Sequence, residues 1–119
     1  MNWYLAKLVY RIVCGRGNHT PQFEEQLRLI EASSKSEALH KAMTMGCREE
    51  VQFANDKQQL VLWKFIDVSE LQQLSEVADG VELHSRIEER EDGEVFERMV
   101  HARASRLQDE LNSAHLQPI

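Results

Sequence analysis

The residues of this chain whose types could do chemistry together are Lys7, Arg11, Glu25, Trp63, Glu82 and Arg86. Glu25 most needs an explanation, because along a strand-like segment it shares a register with Phe23, Leu27 and Leu29. A carboxylate among apolar neighbours needs a cation, or a ligand that supplies one. Lys7 or Arg11 on the preceding segment can reach it across a hairpin, giving a structural cross-strand ion pair. That is the reading adopted; the sharper alternative is a ligand-binding carboxylate in a cleft under Trp63. Glu82, Ser85 and Arg86 make a second polar group, whose plain reading is a solvated strand face with one serine tolerated in the core.

Other chemical signatures carry less. Gly15-Arg16-Gly17-Asn18-His19-Thr20 looks superficially like a phosphate loop. Such loops work because a helix follows and aims its amides at the anion, whereas a strand follows here, so the segment reads as a hairpin with an exposed arginine. The five histidines never fall into an HxxxH or HExxH arrangement, and a zinc site would need ligands gathered from distant elements. Cys14 and Cys47 lack the CxxC spacing of a redox or zinc motif. No catalytic residue, metal ligand or cofactor is assigned.

Composition narrows the field further. A chain of 119 residues fits one domain, and 42% hydrophobic residues supply a core without disulfide or metal support. The net charge of −6 comes with cations scattered among more numerous carboxylates, which argues against nucleic-acid binding. No stretch approaches the ~20 apolar residues of a membrane span. The apolar opening is interrupted by Lys7 and Arg11 and reads as a strand, not a secretory signal. The expected location is cytoplasmic.

The elements that must position these residues follow from periodicity. Residues 3–14 are rich in aromatic and β-branched side chains and stop at Gly15, which predicts a strand. A second strand runs from about Gln22 to Ala32, with Gln22, Glu24, Gln26 and Arg28 on the face opposite Glu25. Ser34-Lys35-Ser36-Glu37 is a capping box. It opens a helix carrying Ala38, Leu39, Ala42 and Met43, with Gly46 expected as its left-handed stop. A short extra strand at 51–53 fits before the turn Asn55-Asp56-Lys57. The next strand, about Gln59 to Val68, is apolar on both faces and therefore expected to be central. Ser69 is expected to cap a turn or two of helix over Leu71 and Leu74. Asp79-Gly80 would lead into a fourth strand over Val81–Glu89, and a last amphipathic helix is expected from Asp92 to about Asn112.

The predicted fold is α+β, in the order ββαββα. It is a four- or five-stranded antiparallel sheet with two helices on one face, ferredoxin-like or a permutation of it. Residues 1–112 form the single domain and 113–119 a flexible tail. Two helices cover one sheet face, so the other, carrying some of Trp3, Leu5, Val9, Trp63 and Phe65, needs a different cover. Apolar patches of that size mark interfaces. The expectation is a non-catalytic interaction module that forms a homodimer, with no membrane or nucleic-acid partner. The alternative is a small-ligand binder or minor enzyme with a pocket on that face.

The motifs Trp3-Tyr4-Leu5-Ala6-Lys7, Phe23-Glu24-Glu25-Gln26-Leu27-Arg28-Leu29-Ile30-Glu31-Ala32 before Ser36-Glu37-Ala38, Leu62-Trp63-Lys64-Phe65-Ile66-Asp67-Val68, and Asp79-Gly80-Val81-Glu82-Leu83-His84-Ser85-Arg86 resemble a bacterial family of small proteins classed as a domain of unknown function. The resemblance runs from about Trp3 to Glu89. It implies shared fold boundaries and brings no activity, cofactor or catalytic residue.

Overall fold

The computed structural model describes residues 1–116. Its elements are β1 (Asn2–Cys14), β2 (Gln22–Ala32), α1 (Lys35–Arg48), β3 (Val51–Ala54), β4 (Leu60–Leu74) and α2 (Gly93–Leu116). The fold is α+β in the order ββαββα, and the four strands form one antiparallel sheet ordered β2-β1-β4-β3. By its contacts the chain divides into two compact units, Met1–Leu83 and a second that begins at His84. The first holds the sheet and α1; the second holds α2.

Strands apolar on both sides belong in the interior of a sheet, and β1 and β4 do occupy the two interior positions. On β1 the even residues Tyr4, Ala6, Leu8 and Tyr10 are buried against α1, together with Ile30 and Ala32 from β2 and Ala38 and Ala42 from the helix. Met45, Trp63, Phe65, Val68 and Leu71 close the edges of this core. Leu8 is fully buried, and burying a side chain of that size contributes roughly 1.5–3 kcal/mol. The two alanines let α1 lie close on the strands. Tyr10 donates its hydroxyl hydrogen to the Gly46 carbonyl at 2.8 Å, and its ring meets Phe65 at 5.5 Å.

The cap of α1 forms as its residues dictate, with one change. Ser34 Oγ accepts from the Glu37 amide at 3.1 Å. The return bond goes one residue further back: Glu37 accepts from the Ser33 amide at 3.4 Å and from the Ser33 hydroxyl. The far end differs from expectation. Gly46 is not a left-handed stop; the helix continues to Arg48 and is capped by Glu49 at φ −95°. The glycine answers a different demand, because a Cβ there would overlap the Phe65 ring.

The short strand expected at 51–53 is present as the fourth strand of the sheet, forming the edge beside β4. Two further expectations are corrected. No helix starts at Ser69; β4 continues to Leu74 along the first half of β1, from Glu70 opposite Lys7 to Leu74 opposite Trp3. Two register shifts make this continuation fit, leaving Ile66 and Ser69 as extra residues on β4. Residues 81–89 form no strand, although the turn before them is present as Val81 N–H donating to Ala78 O at 3.1 Å. Alternation alone does not make a strand: without a ladder partner the pattern has nothing to pair with.

In the second unit, Asp92 starts α2 by accepting from the Val95 amide at 3.1 Å. No described residue from His84 onward is buried, and Phe96 alone is less than exposed. The helix extends to Leu116; the last three residues of the tail expected over 113–119 lie outside the described residues.

Candidate interaction surface

Antiparallel partners share a sheet face, so the ladder assigns each side chain a side. Opposite α1, β1 presents Trp3, Leu5, Lys7, Val9 and Arg11 across from Glu31, Leu29, Leu27, Glu25 and Phe23 of β2. Leu5 is buried on this far face. Exposure concentrates on β2, where Phe23, Leu27 and Leu29 are 55%, 51% and 44% exposed.

Three of the residues singled out by sequence meet here. Lys7 Nζ lies 3.7 Å from Glu25 and 3.4 Å from Glu70, so one lysine is held between carboxylates of both neighbouring strands. Its side chain is 14% exposed while the two glutamates are 62% and 52% exposed. The aliphatic stem is buried and the charges stay in water, a structural cross-strand pairing. Arg11 extends its guanidinium over the Phe23 ring at 5.6 Å.

Trp63 is not part of this group. It pairs with Ile12 on the α1 side of the sheet, as Phe65 does with Tyr10. There is thus no cleft joining Glu25 to Trp63, and neither aromatic belongs to the far face as expected. On its own side Trp63 stacks on Phe53 at 6.2 Å and donates its indole N–H to Glu24 Oε1 at 3.2 Å. Gln26 donates to that same oxygen at 2.6 Å, and Arg28 donates to Gln26 Oε1 at 3.0 Å. Arg28 also grips Glu49 with two bonds, at 3.2 and 2.8 Å. This fork ties β2 to the end of α1.

The face assignment of β2 therefore inverts the usual rule. Its polar row, Glu24, Gln26 and Arg28, shares the face of α1, and its apolar row lies on the other. The polar row was not recognised as a site by sequence. The signal that could have shown its side is Ile30 and Ala32, which continue the same parity into the core.

The remaining candidates fall outside any strand. Glu82 is exposed in the irregular segment that ends the first unit. Arg86, in the second, pairs with Glu88, which also binds Arg90 at 2.5 Å. The Arg90 hydrogen bond and the two guanidinium charges hold the Glu88 carboxyl below its ordinary range. At the β1–β2 hairpin, Gly15 and Gly17 take the left-handed backbone (φ 60° and 78°) that a glycine adopts without strain. His19 Nε2 accepts from the Cys14 amide at 3.0 Å, which leaves Nδ1 to donate to the Thr20 carbonyl at 2.9 Å. β2 follows directly, so no helix N-terminus faces this loop.

Among the described residues, no group of three or more His, Cys, Asp or Glu side chains is placed to hold a metal ion. No helix of the described residues is long and apolar enough to cross a membrane. The far face and edge of β2 carry exposed apolar side chains, fixed ion pairs, and a strand edge that meets no fifth strand among the described residues.

The family model "Domain of unknown function (DUF4288)" matches residues 3–85 of the chain. No curated protein and no solved structure matches it. The matched span takes in the whole sheet and α1 and stops almost where the first compact unit stops, before α2. The chain therefore belongs to the DUF4288 family, a domain of unknown function.

Proposed function

We propose that this protein is a non-catalytic interaction module that associates with a second copy of itself through β2. One observation carries the reading: a strand of eleven residues stands at the sheet edge with Phe23, Leu27 and Leu29 exposed along it. Long edges with apolar residues are templates for pairing. Proline within such a strand would blunt it, and the nearest one, Pro21, stands just before β2. The opposite edge, β3, has four residues and offers far less to pair with. The Lys7 pairings fit this reading, since they fix charge on the sheet without forming a pocket. A cytoplasmic setting belongs to the same proposal; Cys14 and Cys47 are free thiols, as suits a reducing compartment.

Light scattering or sedimentation velocity on the full chain tests the proposal. The expected mass is that of two chains at micromolar concentration. Leu27→Glu, which places a charge at the centre of the exposed row, is expected to return it to one chain with the circular-dichroism spectrum retained. A wild-type mass of one chain up to hundreds of micromolar would reject the reading.

A further inference from the structure

The side chains of β2 also specify how two copies would meet. Resting on the self-association proposed above, we infer that β2 pairs antiparallel with β2 of a second copy about a two-fold axis through Gln26. The two four-stranded sheets then become one sheet of eight.

A two-fold axis perpendicular to the sheet keeps α1 of both copies on one side, so facing residues must share parity. Centring on Gln26 sets Glu24 against Arg28 of the second copy and Phe23 against its Leu29, each pairing occurring twice. Neighbouring registers lose this. A centre at Glu25 or at Arg28 places a like charge against itself, and a centre at Leu27 sets Glu24 against Ile30. Direct cross-strand neighbours of opposite charge stabilise a pairing and like charges oppose it.

The atoms needed are free. Both bonds to the Glu24 carboxylate use Oε1, leaving Oε2 without a partner among the described residues. Arg28 engages Gln26 and Glu49 through Nη1 and Nη2, leaving Nε. A Glu24–Arg28 bond between copies can thus form without dissolving the contacts that hold each side chain in place. On the far face, Phe23 of one copy and Leu29 of the other cover each other's exposed surface.

Charge reversal tests the register. Glu24→Arg faces Arg28 of its twin and Arg28→Glu faces Glu24 of its twin, so each is expected to weaken its own dimer by about tenfold or more. Mixed together, the two variants present opposite charges at both positions and are expected to form a one-to-one heterodimer, resolved by native mass spectrometry. Independently, Gln26→Cys in a background with Cys14→Ser and Cys47→Ser is expected to oxidise to a covalent dimer. Directly opposed antiparallel residues have Cα atoms about 4.5–5.5 Å apart, within disulfide range. A wild-type dimer whose charge variants do not recombine, and whose Gln26→Cys variant does not cross-link, would overturn the register and leave self-association standing. A wild-type monomer would overturn both.

Discussion

The two helices of this chain are both amphipathic by sequence, and they end in opposite circumstances. α1 has 14 residues and buries Ala38, Ala42 and Gly46, the smallest side chains it carries. α2 has 24 residues and exposes the large ones: Val95, Met99, Val100, Leu107 and Leu111 are each at least 36% exposed. Even on α1 the apolar stripe does not by itself mark burial, since Leu39 and Met43 are 40% and 41% exposed. What buries α1 is shape, because small residues over Tyr4, Leu8, Tyr10 and Phe65 allow the backbone to approach the sheet. Within its own unit α2 follows only the irregular segment after His84.

The strongest way to break this comparison is to separate the units between Leu83 and His84. Among the described residues, the fragment 1–83 contains every buried residue of the core. It is expected to keep a single cooperative thermal transition followed by tyrosine and tryptophan signals. The fragment 84–119 is expected to show no cooperative transition of its own, since helices without tertiary contacts are marginal in water. A cooperative transition in the second fragment, or none in the first, would show that the contrast between the helices has been misplaced.

Two glycines sharpen the same contrast at single-residue scale. Gly46→Ala puts a methyl group into the Phe65 ring, and overpacking of this kind costs about 1–3 kcal/mol. Gly93→Ala, at the first turn of α2, meets nothing within 4 Å and requires no left-handed backbone. It is expected to be neutral or to stabilise α2 by a few tenths of a kcal/mol. Chemical denaturation of the first variant and helix content of the second measure the pair. Equal, small effects at both sites would mean that close approach is not what fixes α1.

How much of this was legible in the sequence depends on which interactions carry each feature. Capping at Ser34 and the strands around Leu8 and Leu62 are local, and they read correctly. For Glu25 the sequence left Lys7 and Arg11 both open as cross-strand partners, and Lys7 is the one that lies beside it. Ladder partners were not legible. The strand expected over 81–89 and the helix expected at Ser69 both failed because β1, far away in sequence, uses Glu70–Leu74 to complete its own pairing. Gly46 was misread for the same reason: its constraint is the Phe65 ring, brought up by tertiary packing, and not the end of a helix. Trp63 was placed on the wrong face because one parity had to be chosen for β4. Two register shifts, after Lys7 and after Val9 on the β1 side, break that parity along the strand.

A smaller effect than at Gly46 is expected at one polar link between α1 and the sheet. Tyr10 is 1% exposed and donates to the Gly46 carbonyl. Tyr10→Phe removes that donor, leaves a buried carbonyl short of a partner, and is expected to cost about 1 kcal/mol at neutral pH. Burial raises the phenol's pKa above its ordinary value, with the Glu49 carboxylate adding to the shift. The sign of the pH dependence follows. The unfolded chain releases the tyrosine proton first, so the contribution of Tyr10 is complete below the ordinary tyrosine value of about 10. It is lost as pH rises through the higher folded value. Wild type should therefore lose more stability than Tyr10→Phe between neutral and strongly alkaline pH, and the gap between them should narrow. The readout is the unfolding transition of the first unit, taken from tryptophan fluorescence because Trp3 and Trp63 both lie there. A gap that stayed constant with pH would mean that Tyr10 ionises equally in both states and that its burial does not favour the neutral phenol.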